Sequence, residues 1–131
     1  MSTTPQLWHA ERARPLVAVV CAVPLLGEAV RSALEFADVQ TFSAGGGDLD
    51  GLVRWLRPDA LVVDSETDAV QAAAFARDYD LPVLHIAMRD GVLRLCRHGE
   101  WEDVANSEGP TPELIRNVVA GVLFAREGAT T

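Results

Sequence analysis

Three short runs of apolar residues constrain the fold of this chain more than any other feature of its sequence. They are LVAVVCAV at 16–23, ALVVD at 60–64 and LPVLHIAM at 81–88. None of them alternates apolar with polar residues, so each is predicted to be a strand buried on both faces. Strands of this kind are typical of parallel sheets, whose crossover helices cover both sides.

The stretches around these runs carry helix signals. Apolar residues recur at helical spacing after Pro24 and again after Asp48, which is a good N-cap residue. Further helices are expected at 68–79, from its alanine content, and at about 112–126. A short β-prone stretch at 39–44 supplies another strand. Strands and helices that alternate in this way predict a doubly wound α/β fold.

The segment 89–107 interrupts this alternation. It has no apolar helical stripe, and the turn-forming pair His98 and Gly99 lies between two strand-like arms, VLRLCR and EWEDV. We therefore expect a β-hairpin in place of the helix between strands four and five.

A surface for a partner is predicted on this hairpin and the last helix. An exposed tryptophan often anchors an interface, whereas Trp101 could instead pack against the last helix. The predicted interface residues are Leu93, Leu95, Trp101 and Phe124.

Length and composition indicate one globular domain. The chain has 131 residues, of which 49% are hydrophobic and 23% are charged. We expect a flexible arm at 1–14, the α/β domain at 15–127 and a tail at 128–131. The glycine run at 45–47 is expected to be a flexible turn.

Charge and hydropathy exclude several classes of partner. A net charge of −8 argues against nucleic acids and anionic membrane surfaces. No apolar run reaches the roughly 18 residues of a spanning helix, and the first residues lack the apolar core of a secretion signal. We expect a cytoplasmic protein.

Three stretches together resemble the receiver domains of bacterial response regulators. VPLLGEAVRSALE at 23–35 resembles the first helix of that family, LRPDALVVDSE at 56–66 its third strand with the phospho-acceptor aspartate, and LPVLHIAM its fourth strand. The last helix, TPELIRNVVAGVL, is a plausible fifth helix. The resemblance implies a flavodoxin-like sheet with strand order 2-1-3-4-5 and a role in two-component signal transduction.

The sequence departs from that family at the positions that carry the phosphoryl-transfer chemistry of receiver domains. Asp64 matches the phospho-acceptor and should lie beside Cys21, at the carboxyl ends of neighbouring strands. The acidic pair with which receivers hold magnesium is replaced by Cys21 and Ala22, which offer no hard oxygen ligand. The family's Ser or Thr after strand four corresponds to Ala87, and its lysine has no counterpart because the chain contains no lysine.

Simple structural roles compete with functional ones at these positions. Asp64 either caps a loop or the following helix, or it retains a switch role with or without phosphate. Cys21 either fills a tight strand end or is a reactive thiol whose pKa a helix N-terminus lowers. Glu66 and Asp68 follow the third strand and not the first, so they do not restore the acidic pair. His85 is expected to be a core histidine.

These residues predict a pseudo-receiver, a non-enzymatic signalling module that binds a protein partner or a second copy of itself. Neither phosphate, metal nor cofactor is expected to take part. The alternative is a small-ligand or redox-responsive domain that uses the crevice around Cys21 and Asp64. Cys21 and Cys96 are expected to be reduced thiols, since they are too few for a disulfide framework and lack zinc-ligand spacing.

Overall fold

The computed structural model of the chain is a mixed α/β structure that describes residues 14–44, 48–104 and 109–129. Its strands are β1 (Leu16–Cys21), β2 (Asp38–Ser43), β3 (Ala60–Val63), β4 (Val83–Ala87), β5 (Val92–Arg97) and β6 (Glu100–Asp103). Its helices are α1 (Pro24–Ala33), α2 (Leu49–Leu56), α3 (Glu66–Asp78) and α4 (Pro112–Ala129). The glycine run, most of the predicted arm and the end of the predicted tail lie outside the described residues.

The six strands form one sheet in the order β2-β1-β3-β4-β5-β6. β2, β1, β3 and β4 are parallel neighbours. β5 runs antiparallel to β4, and β6 antiparallel to β5. The α/β sheet, the order of its first four strands and a hairpin after the fourth strand are therefore confirmed.

The prediction of a parallel fifth strand is wrong. β5 occupies the place beside β4 and runs against it. Residues 88–91 alone connect the two strands, and they form tight turns in which Asp90 N–H donates to the Ala87 carbonyl at 3.1 Å. A parallel neighbour needs a crossover of roughly a dozen residues or more, whereas an antiparallel neighbour needs only a turn. The short connection therefore fixes the direction of β5.

Helices cover both faces of the sheet. α1 and α4 pack on one face, and α2 and α3 pack on the other. In β1, Val17 and Val19 belong to the first core, while Ala18 and Val20 belong to the second. Every residue of β1, β3 and β4 is buried, as the apolar runs predicted. Each buried valine or leucine side chain stabilises the fold by roughly 1.5–3 kcal/mol, so these strands hold the layers together.

None of the helices within the described part of the chain combines the length and the apolar character needed to cross a membrane.

A two-residue turn closes the hairpin between β5 and β6. His98 and Gly99 both have positive φ, 57° and 86°. This backbone is typical of a type I′ turn, whose twist matches that of the two strands. A Cβ on Gly99 would lie 3.2 Å from the Cβ of Arg77 in α3. The turn therefore packs closely against the end of α3.

We expect Gly99→Ala to lower the free energy of unfolding by about 2 kcal/mol, because it combines a left-handed backbone with the close approach of Arg77. Gly91→Ala is the matched control. Its φ is 67° and nothing lies within 4 Å of the added Cβ, so only the backbone cost of about 1 kcal/mol remains. Urea unfolding measures both losses, and equal losses would contradict the packing of the turn on α3.

Candidate functional site

Asp64 follows β3 at the carboxyl edge of the sheet, where open α/β sheets place their ligand crevices. Its Oδ1 accepts a hydrogen bond from Ala22 N–H at 2.8 Å, and its Oδ2 lies 3.0 Å from the same nitrogen. Oδ2 also accepts from Val23 N–H at 3.3 Å. The carboxylate thus joins the end of β3 to the loop after β1.

This contact caps α1 from outside the helix. Val23 is the N-cap residue but makes no side-chain cap bond, and Pro24 at the first helical position has no N–H. A carboxylate beside a helix N-terminus gains from both the charge-assisted hydrogen bonds and the helix dipole. Asp64 therefore serves as the cap of a helix that precedes it in the chain.

Cys21 ends β1 beside Asp64, and the predicted adjacency of the two is confirmed. Its side chain is 7% exposed. Burial, with the negative charge of Asp64 as a smaller cause, raises the pKa of the Cys21 thiol to about 12. The thiol is therefore protonated at neutral pH. A reactive cysteine requires the thiolate, so burial and the raised pKa favour the first of the two roles considered for Cys21, a residue that fills a tight strand end, over the reactive thiol.

The residues around Asp64 do not fit a magnesium ion. Cys21 contributes a protonated thiol and Ala22 a methyl group, whereas magnesium requires hard oxygen ligands. Both oxygens of Asp64 already accept hydrogen bonds from backbone N–H groups. Among the residues that the structure describes, no group of three or more His, Cys, Asp or Glu side chains could hold a metal ion. Ala87, buried at the end of β4, offers no hydroxyl to a phosphoryl group.

Asp68 is a buried carboxyl group in the first turn of α3. Ser65 caps α3, and its Oγ accepts from Asp68 N–H at 3.3 Å. The carboxyl oxygen Oδ2 is buried without a hydrogen-bond partner. Burial raises the pKa of Asp68, and the charge of Asp64 raises it further. The capping pattern Ser-x-x-Asp at 65–68 was the available signal for a structural position here.

His85 is buried in β4, as predicted, and contacts Trp101 of β6. Their ring centroids are 6.1 Å apart and the rings meet edge to face at 69°. Burial lowers the pKa of His85, and the charge of Arg94 opposite it lowers the pKa further, while nearby carboxylates oppose this. His85 is therefore a buried ring, biased toward its neutral form, that packs edge to face against Trp101.

The four predicted interface residues do not form one surface. Leu93 and Leu95 are 1% and 7% exposed because they face the core beneath α1 and α4, so no partner can reach them. Trp101 is 36% exposed and lies opposite Cys96, on the face of α2 and α3, so it does not pack on the last helix. Phe124 lies in the C-terminal half of α4 and is 48% exposed. Its ring centroid is 5.5 Å from that of Phe36.

Replacing Asp64 should measure the strength of its cap. Asp64→Ala removes the acceptor of two backbone N–H groups and is expected to destabilise the fold by about 2 kcal/mol. Asp64→Asn keeps one acceptor oxygen and should cost less than Asp64→Ala. Chemical denaturation of the three proteins at pH 7 gives the comparison. Stability unchanged in Asp64→Ala would show that the contact is dispensable.

Asp68→Asn is expected to stabilise the protein at pH 7 by about 1 kcal/mol, because it removes a buried charge without a full set of partners. The pKa of Asp68 is raised in the folded state, so its stabilising contribution is complete below the ordinary value of 3.8 and is lost as pH rises through the folded pKa. The stability advantage of Asp68→Asn over the wild type should therefore shrink as the pH falls toward 3.8.

Glu66→Gln is the matched control, since it removes the same charge from the first turn of α3 at an exposed position. It loses a favourable contact with the helix dipole and should be neutral or slightly destabilising. Urea unfolding of both variants between pH 4 and pH 7 separates the two effects. A destabilised Asp68→Asn at pH 7 would contradict the assignment.

Comparison with known proteins finds no match to this chain. No protein-family model matches the chain, and no curated protein or solved structure matches it significantly. What the chain does must therefore be inferred from its own residues and fold.

Proposed function

We propose that this protein is a non-catalytic, receiver-like signalling module that acts by binding another protein and does not depend on phosphorylation. The observation that carries the proposal is the engagement of Asp64. Its carboxylate accepts hydrogen bonds from Ala22 and Val23 N–H and caps α1. Hydrogen bonds from these donors stabilise the negative charge of the carboxylate, which makes its oxygens weaker nucleophiles toward a phosphoryl donor.

The surroundings of Asp64 supply none of the usual help for phosphoryl transfer. That reaction depends on positioning and on neutralising the charge of the phosphoryl oxygens. Cys21 and Ala22 replace the ligands of the metal, Ala87 replaces the hydroxyl, and the chain has no lysine. A role without catalysis or a cofactor accounts for all of these replacements together.

The sheet supports the resemblance to receivers in its first four strands. The order β2-β1-β3-β4, with parallel neighbours, is the order that the resemblance implies. The chain departs from it at β5 and β6, beyond the strand-end crevice. A module that keeps the receiver core and changes one side of it is suited to a changed set of protein contacts.

A protein is the partner that the charge of the chain favours, and the cytoplasm is the proposed compartment. With a net charge of −8, nucleic acids and anionic membranes would be repelled. Self-association through the exposed ring of Phe124 is a second arrangement compatible with this role. The redox alternative at Cys21 has less support, because its thiol is buried and protonated.

Incubation with magnesium and either acetyl phosphate or beryllofluoride tests the proposal. We expect the intact mass and the amide NMR spectrum to stay unchanged, because Asp64 lacks the groups that bind and activate a phosphoryl donor. Asp64→Asn is the control that identifies any signal arising from this residue. A phosphoryl mass on the wild type that Asp64→Asn abolishes would overturn phosphorylation independence.

A further inference from the structure

β6 forms an open edge of the sheet. It pairs with β5 on one side, and no strand among the described residues pairs with its other side. All four of its residues are exposed. Open edges carry unpaired N–H and C=O groups that can pair with a further strand.

The register of the hairpin identifies which backbone groups face outward. Val104 N–H donates to the Leu93 carbonyl at 2.8 Å, in the pair that follows Arg94 and Asp103. Hydrogen-bonded and non-hydrogen-bonded pairs alternate along antiparallel strands. Glu102 therefore turns its backbone groups toward β5, while Trp101 and Asp103 turn theirs toward the open edge.

Acidic side chains dominate the strand at this edge. Glu100, Glu102 and Asp103 are three of the four residues of β6. Asp103 is paired with Arg94 at 3.3 Å. Glu100 lies opposite Arg97, whereas Glu102 lies opposite the apolar Leu95, so no basic side chain stands directly across the hairpin from Glu102. The edge thus offers an uncompensated carboxylate on one face and the half-exposed ring of Trp101 on the other.

A second copy of this chain is a poor occupant of the edge. Antiparallel pairing of β6 with another β6 would bring the sequence Glu-Trp-Glu-Asp against itself. Like charges in cross-strand positions destabilise a sheet, and the net charge of −8 adds to the repulsion.

We propose that β6 is a docking edge for an extended, basic segment of a partner protein, which adds to the sheet as a seventh strand. The inference rests on the proposed function, because it specifies the surface and the chemistry of the partner. An added strand hydrogen-bonds to the backbone of Trp101 and Asp103. Its side chains alternate between the two faces, with basic residues near Glu100 and Glu102 and an apolar residue near Trp101.

Binding of the peptide acetyl-Arg-Val-Arg-Val-Arg-amide to the full chain tests this proposal. We expect saturable shifts of the amide NMR signals of Trp101 and Asp103, with slower hydrogen exchange at these two N–H groups. The exchange of Glu102 N–H should change little, because it already faces β5. Absence of binding, or shifts that avoid β6, would overturn the proposal.

Two control peptides separate strand addition from simple charge attraction. Glu-Val-Glu-Val-Glu should not bind, because its charge has the wrong sign. Arg-Pro-Arg-Pro-Arg keeps the charge, but proline cannot donate to a ladder of hydrogen bonds. We expect it to bind about tenfold more weakly than the valine peptide. Equal binding of the two basic peptides would reject strand addition.

Two charge reversals locate the site on the protein. Glu102→Arg should weaken binding of the valine peptide by about tenfold, since it replaces attraction at the edge by repulsion. Glu28→Arg makes the same change of net charge on an exposed position of α1 and should leave binding within about twofold. Equal effects of the two substitutions would reject a specific edge. Concentration-dependent protection of Trp101 and Asp103 without peptide would instead assign the edge to a second copy and overturn the proposal.

The peptide experiment fails independently of the phosphorylation experiment. If the peptide does not bind, the expected lack of reaction between Asp64 and beryllofluoride is unaffected. The proposed module would then bind its partner through another surface. Phosphorylation of Asp64 would overturn the proposed function, while the peptide could still bind to β6.

Discussion

Burial of β1 and β3 on both faces is the constraint on which the rest of the structure depends. A polar side chain along either strand would lie unpaired in one of the two cores, which costs free energy. Polar side chains are therefore excluded from the length of β1 and β3 and occur where these strands end. Asp64 is the first residue after β3, and its carboxylate is bonded there to the N–H groups that follow β1. The acidic residue that ends β3 is thus already engaged by backbone donors at this edge of the sheet.

Double-sided burial also explains which parts of the fold the sequence could predict. A strand buried on both faces needs an unbroken apolar run, so β1, β3 and β4 were predicted from such runs. The turn at His98 and Gly99 was predictable because positive φ requires a permissive residue. The direction of β5 was not predictable, since the composition of VLRLCR does not depend on the direction in which the strand runs. Only the length of the connection at 88–91 carried that information, and the resemblance to receivers favoured the opposite direction.

The candidate site was predictable in its placement but not in its chemistry. Asp64 and Cys21 end neighbouring parallel strands, so their adjacency follows from the strand order. The bonds of Asp64 to Ala22 and Val23 use backbone N–H groups, which nearly every residue carries, and no side-chain pattern indicates them. The raised pKa of Cys21 likewise depends on how completely α1 and α4 cover the strand end, which is a property of tertiary packing.

The two edges of the sheet show where unused hydrogen-bonding capacity remains. β2 contains a single acidic residue, Asp38, whereas acidic residues make up most of β6. Because β5 turns back after a short connection, the hairpin places its outer strand at the open side of the sheet with every residue exposed. The departure that replaces a parallel fifth strand therefore creates this edge. At the strand ends the carboxylate of Asp64 already has its donors, while at β6 two residues still present free backbone groups beside an aromatic ring. Within the described residues, the open backbone groups that the proposed partner strand requires therefore lie at β6 and not beside Asp64.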